Sequence, residues 1–249
     1  MEEFRAVLVV DAEKFSAHRD ADLTDVHLEI RRVLAAACAA GGLGDTWENV
    51  RFMESTGDGV LAVLPHKAVP ALIDPFPRCL QDALAESAPR LRARGLRLRL
   101  RVALHVGLVD DERPDAPGIS TAVIDACRLL DSRPLRDALE QSDPEVTFAA
   151  LLLSSELFTA YVAGGRSGLR ESQFTEVKVQ VKSYDKPAYL YVPVPSGKGR
   201  GDGAGMVAKD GEGPPPPVPG TSISGITISG DGSRNAFGNT VGGDFRQEG

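Results

Sequence analysis

The chain has 249 residues, of which 25% are charged and 42% hydrophobic, values typical of a folded globular protein. Its formal net charge of -7 argues against the basic surface with which proteins bind nucleic acids or anionic membranes. No stretch approaches the roughly 20 apolar residues of a membrane span, and the three cysteines are too far apart for a zinc site. We therefore expect a cytoplasmic protein with neither nucleic acid nor membrane as a partner.

The composition changes sharply near Pro195. Of the 26 glycines, 15 lie between Gly197 and Gly249, and a run of four prolines begins at Pro214. Such a segment cannot bury a core. The sequence therefore predicts a globular domain over residues 1–195, a disordered Gly/Pro-rich linker over 196–220 and a separate tail over 221–249.

Strand and helix patterns alternate along the predicted domain. A continuous apolar run over residues 4–10 predicts a strand that is buried on both faces. Apolar residues at helical spacing predict a helix over 22–40. Two short apolar runs on either side of a Gly-rich turn predict a hairpin of strands 50–54 and 60–64. The remaining predicted elements are a helix over 76–94, a strand over 96–108, helices over 120–130 and 135–139, a strand over 146–153, a helix over 156–162 and a hairpin of 174–182 and 188–192.

The predicted strand 96–108 has the clearest alternation in the chain. Leucine and valine occupy every second position, and Arg97, Arg99 and Arg101 lie between them. Strand alternation alone accounts for these arginines, so we expect them on a solvated face of the sheet. The order of the elements predicts an α+β fold with a mostly antiparallel sheet.

Two acidic residues are candidates for a functional site. Asp11 directly follows the first strand, and Asp58 lies between two glycines in the hairpin turn. Taken singly, each position is typical of ordinary turn chemistry. A ferredoxin-like arrangement would bring the two carboxylates together, and paired carboxylates are ligands for Mg²⁺ or Mn²⁺. Both interpretations remain open at this point.

Four motifs in sequence carry a resemblance to a known family. They are VDAEKF at 10–15, GDGVLA at 57–62, LRVALHVG at 100–107 and AVIDACRLL at 122–130. In order and spacing they resemble the class III nucleotidyl cyclase catalytic domain, as a divergent bacterial member, over about residues 4–193. The resemblance implies a ferredoxin-like fold.

The resemblance also implies a reaction, in which a nucleoside triphosphate becomes a 3′,5′-cyclic nucleotide and pyrophosphate. By analogy, Asp11, Asp58 and the main-chain carbonyl of Ala12 bind two Mg²⁺ or Mn²⁺ ions. Arg128 matches the arginine that stabilises the transition state, and Lys182 matches a triphosphate-binding lysine. The family's site forms between two subunits, which implies a homodimer. The resemblance also implies a role in bacterial signalling or defence.

The chain departs from the family at the nucleotide-binding positions. The ribose-orienting asparagine is replaced by Ile124, and the purine-selecting lysine is replaced by Glu54. Asp125 is next to the missing asparagine, although on a helix it would point about 100° away from it. Two hypotheses follow. The protein is a divergent cyclase with another base specificity, or a catalytically silent homologue that acts as a nucleotide sensor or adaptor.

The tail over residues 221–249 has high β-propensity. It contains Ile223, Ile226 and Ile228 among serine, threonine and glycine, followed by an Asn-containing stretch. Short segments of this composition can stack as in-register strands. The tail resembles the amyloid-like signalling motifs of bacterial immune-type proteins, which implies self-assembly or pairing with a receptor. A plain disordered extension is the alternative.

Overall fold

The computed structural model describes residues 1–113 and 115–197. The predicted tail over 221–249 and all but the first two residues of the predicted linker lie outside the described residues.

A seven-stranded sheet forms the centre of the described part of the chain, in the order β2-β3-β1-β4-β5-β7-β6. Among these strands only β4 and β5 are parallel neighbours, and the other adjacent pairs are antiparallel. The predicted α+β class with a mostly antiparallel sheet is confirmed. The strands are β1 (Glu3–Ala12), β2 (Phe52–Ser55), β3 (Gly59–Pro65), β4 (Leu100–Val109), β5 (Ala149–Ser154), β6 (Thr175–Val181) and β7 (Tyr184–Tyr191).

Seven helices accompany the sheet in the described ranges. They are α1 (Asp20–Ala40), α2 (Gly44–Glu48), α3 (Val69–Ile73), α4 (Phe76–Ala93), α5 (Thr121–Leu130), α6 (Arg133–Glu140) and α7 (Ser155–Leu157), which continues as a π-helical segment over Phe158–Ala163. Short 3₁₀ turns cover Phe15–Ala17, His66–Ala68 and Glu171–Gln173. No described helix has both the length and the apolar character required to cross a membrane.

Helices cover both faces of the sheet, which explains the continuous apolar run in β1. Leu8 and Val10 belong to the core that contains the buried residues of α1 and α4. Val7 and Val9 face the other way, into the core that contains those of α5 and α6. Asp11 lies on the same face as Val7 and Val9, because strand side chains alternate between faces. Its carboxylate therefore lies on the side of α5 and α6.

The fourth strand begins later than its sequence pattern predicts. Helix α4 is followed by Gly95, which has φ +75°, and the strand begins only at Leu100. Leu96 and Leu98 are nevertheless buried, with 3% and 5% exposure. Their alternation reflects burial in the core rather than pairing within the sheet.

The prediction that the three arginines lie on a solvated face is wrong for Arg99 and Arg101. Arg97 is exposed, but Arg99 is only 7% exposed. The Arg99 guanidinium donates to the main-chain carbonyls of Thr147 and Leu139. It also forms an ion pair with Glu13, with 3.1 Å between the closest atoms. The reason is that α6 and the segment leading into β5 cover this end of the sheet.

Candidate active site

Two carboxylates meet where the first strand ends beside the β2–β3 hairpin. Asp11 lies opposite Gly59 in the antiparallel register of β1 and β3. The amide of Ala12 donates to the main-chain carbonyl of Asp58 at 2.9 Å. A Cβ atom on Gly59 would be 1.8 Å from the carbonyl oxygen of Val10, so only glycine permits this approach. The hairpin glycine therefore places Asp58 directly beside Asp11.

Arg101 forms a bidentate ion pair with Asp11. Its Nε and terminal nitrogen donate to the two carboxylate oxygens at 2.8 Å and 2.6 Å. Burial raises the pKa of Asp11 to about 6, opposed by Arg101 and reinforced by the charge of Asp58. Strand alternation alone does not identify Arg101 as a site residue. Pairing β1 with β4 would have identified it, because Arg101 lies opposite Asp11 in the register.

The donor atoms at this site are of the type that a small divalent cation prefers, and Arg101 holds both oxygens of one of them, Asp11. Asp11, Asp58 and the main-chain carbonyl of Ala12 offer the hard oxygen ligands that Mg²⁺ and Mn²⁺ prefer. Within residues 1–113 and 115–197, no group of three or more histidine, cysteine, aspartate or glutamate side chains is arranged to bind a metal ion. A pair of carboxylates is the kind of partial ligand set that Mg²⁺ completes with water or phosphate oxygens.

A cavity of about 400 Å³ lies beside β2, under the loop that joins β4 to α5. The loop turns at Gly118, which has φ +75° and whose Cβ position would be 2.4 Å from the ring of Phe52. Glu54, Asp115 and Ile124 are among the residues that line the cavity. Both acids are exposed. The structure thus brings Glu54 and Ile124, two of the predicted nucleotide-binding residues, to one pocket.

Helix α5 presents different residues to the pocket and to the core. It begins after Ser120, whose hydroxyl caps the helix by accepting from the amide of Val123 at 3.2 Å. Ile124 is 47% exposed at the pocket, whereas Asp125 is 8% exposed and does not line the pocket. Asp125 instead accepts a hydrogen bond from Arg128 at 3.1 Å. Asp125 therefore contacts the candidate catalytic arginine rather than the place of the missing asparagine.

Lys182 lies far from the carboxylate pair within one chain. It is exposed in the tight turn between β6 and β7, with φ +53°. The β6–β7 hairpin forms the edge of the sheet opposite β2 and β3. The strand registers place its turn at the end of the sheet opposite Asp11. Among the described contacts, Arg128 pairs with Asp125 and with neither Asp11 nor Asp58.

Comparison with known proteins gave no match to a family model or to a curated protein. Solved structures do match. The guanylyl cyclase Cya2 has a TM-score of 0.55 at 15% identity, covering 81% of this chain and 96% of that chain. The adenylyl cyclase CyaB from P. aeruginosa has a TM-score of 0.53 at 16% identity, covering 80% and 97%. An adenylate/guanylate cyclase/hydrolase from Silicibacter pomeroyi has a TM-score of 0.51 at 20% identity, covering 78% and 98%.

At such low sequence identity, the similarity is evidence for a shared fold and not for a shared activity. All three neighbours are named as cyclases, and each is covered almost completely by this chain. The described residues therefore have the fold of adenylyl and guanylyl cyclase domains.

Proposed function

We propose that this protein is a divergent nucleotidyl cyclase, which converts a nucleoside triphosphate into a 3′,5′-cyclic nucleotide and pyrophosphate in bacterial signalling or defence. The observation that carries the proposal is the pairing of Asp11 and Asp58 on a cyclase fold. A fold alone hosts many functions, whereas this pair adds the chemistry that a phosphoryl transfer requires.

The proposed roles follow from the charge of each group. Asp11, Asp58 and the Ala12 carbonyl would hold two Mg²⁺ or Mn²⁺ ions, which would supply Lewis-acid stabilisation of the phosphate oxygens and acidify the attacking hydroxyl. Arg101 adds a positive charge beside Asp11. Arg128 stabilises the charge that develops on the α-phosphate.

The positions of these residues favour a homodimer as the active form. Lys182 lies at the opposite end and edge of the sheet from Asp11. One chain therefore does not bring its own lysine to its own carboxylates. Two copies related by a twofold axis would form two equivalent sites, each with the carboxylate pair of one copy and Lys182 and Arg128 of the other.

A second candidate function is a catalytically silent nucleotide sensor or adaptor. It is favoured by the pocket, where Ile124 offers no hydrogen bond to a ribose and Glu54 offers a negative charge. The Asp11–Arg101 ion pair favours it too, because the guanidinium occupies both oxygens of one metal ligand. In this alternative the tail over 221–249 would assemble the domains, a proposal that rests on the sequence alone.

The deciding experiment is turnover by the full chain. With Mn²⁺ and each of ATP, GTP, CTP and UTP, mass spectrometry should detect a cyclic nucleotide and pyrophosphate from at least one substrate. Asp58→Asn should abolish the product, because one metal ligand loses its charge. Asp82→Asn, which removes an exposed acid on α4, is the matched control and should retain activity.

The alternative function predicts a different outcome. If no triphosphate is cyclised at any protein concentration, the cyclase proposal fails. Calorimetric titration with the same four nucleotides then decides between a sensor, which binds one of them, and an adaptor, which binds none.

A further inference from the structure

Two acid–arginine pairs follow one another where the end of β1 runs beside β4. Asp11 pairs with Arg101, and two residues further along β1 the carboxylate of Glu13 pairs with Arg99. Residues two apart in a strand share a face, so both pairs lie on the side that α5 and α6 cover. We call Glu13 and Arg99 the outer pair, because Glu13 lies just beyond Ala12, the last residue of β1.

The arginine of the outer pair is fixed to the fold by several contacts. The Arg99 guanidinium donates to the main-chain carbonyls of Thr147 and Leu139 at 2.9 Å and 2.6 Å. It also donates to the hydroxyl of Ser142 and, at 3.1 Å, to the carboxylate of Glu13. Both side chains of the pair are largely buried, with 7% and 11% exposure. Arg99 is therefore a fixed point in the covered face, and Glu13 is bound to it.

The main chain at Glu13 is bound to the same arginine. The amide of Glu13 donates to the main-chain carbonyl of Arg99 at 2.9 Å. That N–H belongs to the same planar peptide group as the carbonyl of Ala12, and in a trans peptide the two bonds point in opposite directions. The Ala12 carbonyl therefore points away from β4, to the side of β1 on which Asp58 lies. Among the described main-chain bonds, none joins the Asp58 amide to this carbonyl, so its oxygen can bind another ligand.

Two features distinguish the outer pair from a purely stabilising contact. Among the described residues, Glu13 Oε1 is buried without a hydrogen-bond partner, and the Lys14 ammonium lies 3.9 Å from it. A half-satisfied buried carboxylate is not a contact optimised for stability. In addition, Lys14 has φ +56°, a left-handed conformation that side chains other than glycine rarely adopt and that persists only where the surrounding contacts hold it. The outer pair is thus next to a strained turn.

We propose that Glu13 and Arg99 are positioning residues for the Ala12 carbonyl. The outer pair holds the peptide group between Ala12 and Glu13, so that this carbonyl stays directed to the side of Asp58. Without the pair, the strained turn at Lys14 can relax and rotate that peptide group. The role of the carbonyl as a metal ligand rests on the proposed function, whereas the orientation of the peptide group does not.

The first test measures this orientation in the full chain, without metal or nucleotide. Glu13→Ala should lower the hydrogen-exchange protection of the amide at position 13 about tenfold, because its bond to Arg99 loses the side-chain contact that supports it. Glu13→Gln should retain most of the protection, because its amide oxygen still accepts from the guanidinium. Arg90→Gln is the matched control, since it removes one partner of the buried Glu29 between α1 and α4. It should leave protection at position 13 unchanged.

Two outcomes of the exchange measurement would overturn the proposal. In the first, Glu13→Ala lowers the melting temperature but keeps the wild-type protection at position 13, which would make the outer pair a stabilising contact only. In the second, Arg90→Gln lowers the protection at position 13 as much as Glu13→Ala does. Protection would then follow general stability and not the contact between Glu13 and Arg99.

The second test measures the consequence at the proposed metal site. Mn²⁺ titration, followed by the electron paramagnetic resonance signal of the free ion, should show about tenfold weaker binding to Glu13→Ala than to the wild-type chain and Arg90→Gln. In an active enzyme, excess Mn²⁺ should restore the turnover of Glu13→Ala. Lower protection with unchanged Mn²⁺ affinity would overturn the positioning role. A wild-type chain that binds no Mn²⁺ would refute the metal site of the proposed function, and the exchange measurement would still decide whether the outer pair orients the peptide group.

Discussion

At the scale of single residues, the candidate site contains a largely buried ion pair between Asp11 and Arg101. Both side chains are largely buried, with 11% and 13% exposure, and two hydrogen bonds join them. A buried pair of this kind adds little net stability, but removing one partner leaves an uncompensated charge. Arg101 therefore neutralises Asp11 in the fold and must share that carboxylate with a bound cation in the proposed enzyme.

The first prediction concerns the stability that depends on this pair. Arg101→Gln should lower the free energy of unfolding at pH 8 by about 3 kcal/mol, because ionised Asp11 loses its buried partner. Urea denaturation measures the change. Arg97→Gln, which removes an exposed arginine from the same segment, should change it by less than about 1 kcal/mol. Equal effects of the two substitutions would show that the Asp11–Arg101 pair contributes no more to the free energy of unfolding than an exposed arginine does.

At the scale of elements, the closest backbone contact at the site is between β1 and the start of β3. The amide of Ala12 bonds to the carbonyl of Asp58, and Gly59 lies against Val10. The relative position of the two acids is therefore set by strand pairing rather than by side-chain rotamers. A rigid main-chain frame of this kind suits a site that must bind ions at defined spacing.

The second prediction tests this frame. Gly59→Ala should separate β3 from β1 locally and cost about 1–3 kcal/mol, as overpacking does in a filled interior. It should also abolish any cyclase activity, because Asp58 moves with the hairpin. Gly44→Ala is the control, since the nearest atom to its Cβ position is 3.6 Å away and the helix there accepts alanine. A folded, fully active Gly59→Ala protein would contradict the proposed frame.

Much of the architecture could be predicted from the sequence, because in most elements the local residue pattern agrees with the burial that the structure shows. The apolar run in β1, the glycine turn before Gly59 and the stripe of α1 each specify one element. The roles of Arg99 and Arg101 could not be predicted. Strand alternation tells which residues share a face, but only the packing of α5 and α6 shows that this face is covered. The Asp125–Arg128 contact follows from their i,i+3 spacing on α5, but the burial of Asp125 depends on which side of α5 meets the sheet.

At the scale of the whole molecule, the candidate site residues divide into separate groups on one chain. The carboxylate pair lies at the end of β1, the pocket lies beside β2, and Lys182 lies at the far hairpin. A symmetric dimer is the simplest assembly that unites such groups, because each copy can complete the site of the other.

The third prediction is complementation between two inactive variants. Asp58→Asn and Arg128→Ala should each be inactive alone, whereas an equal mixture should regain about one quarter of the wild-type activity. Half of the dimers in the mixture are mixed, and each mixed dimer contains one intact site out of two. Cyclic nucleotide formation after mixing measures the effect. A mixture that stays inactive, although wild-type copies exchange partners, would contradict a shared site.

The distance between Lys182 and Asp11 along the sheet has a consequence for how the proposed enzyme would respond to its own abundance. If half of each site comes from a second copy, the output per molecule rises with the number of molecules until the copies are fully paired. A few scattered chains would stay quiet, and a locally crowded population would switch on together. The geometry of one hairpin would thus convert gene dosage or local clustering into a threshold, with no additional regulatory domain.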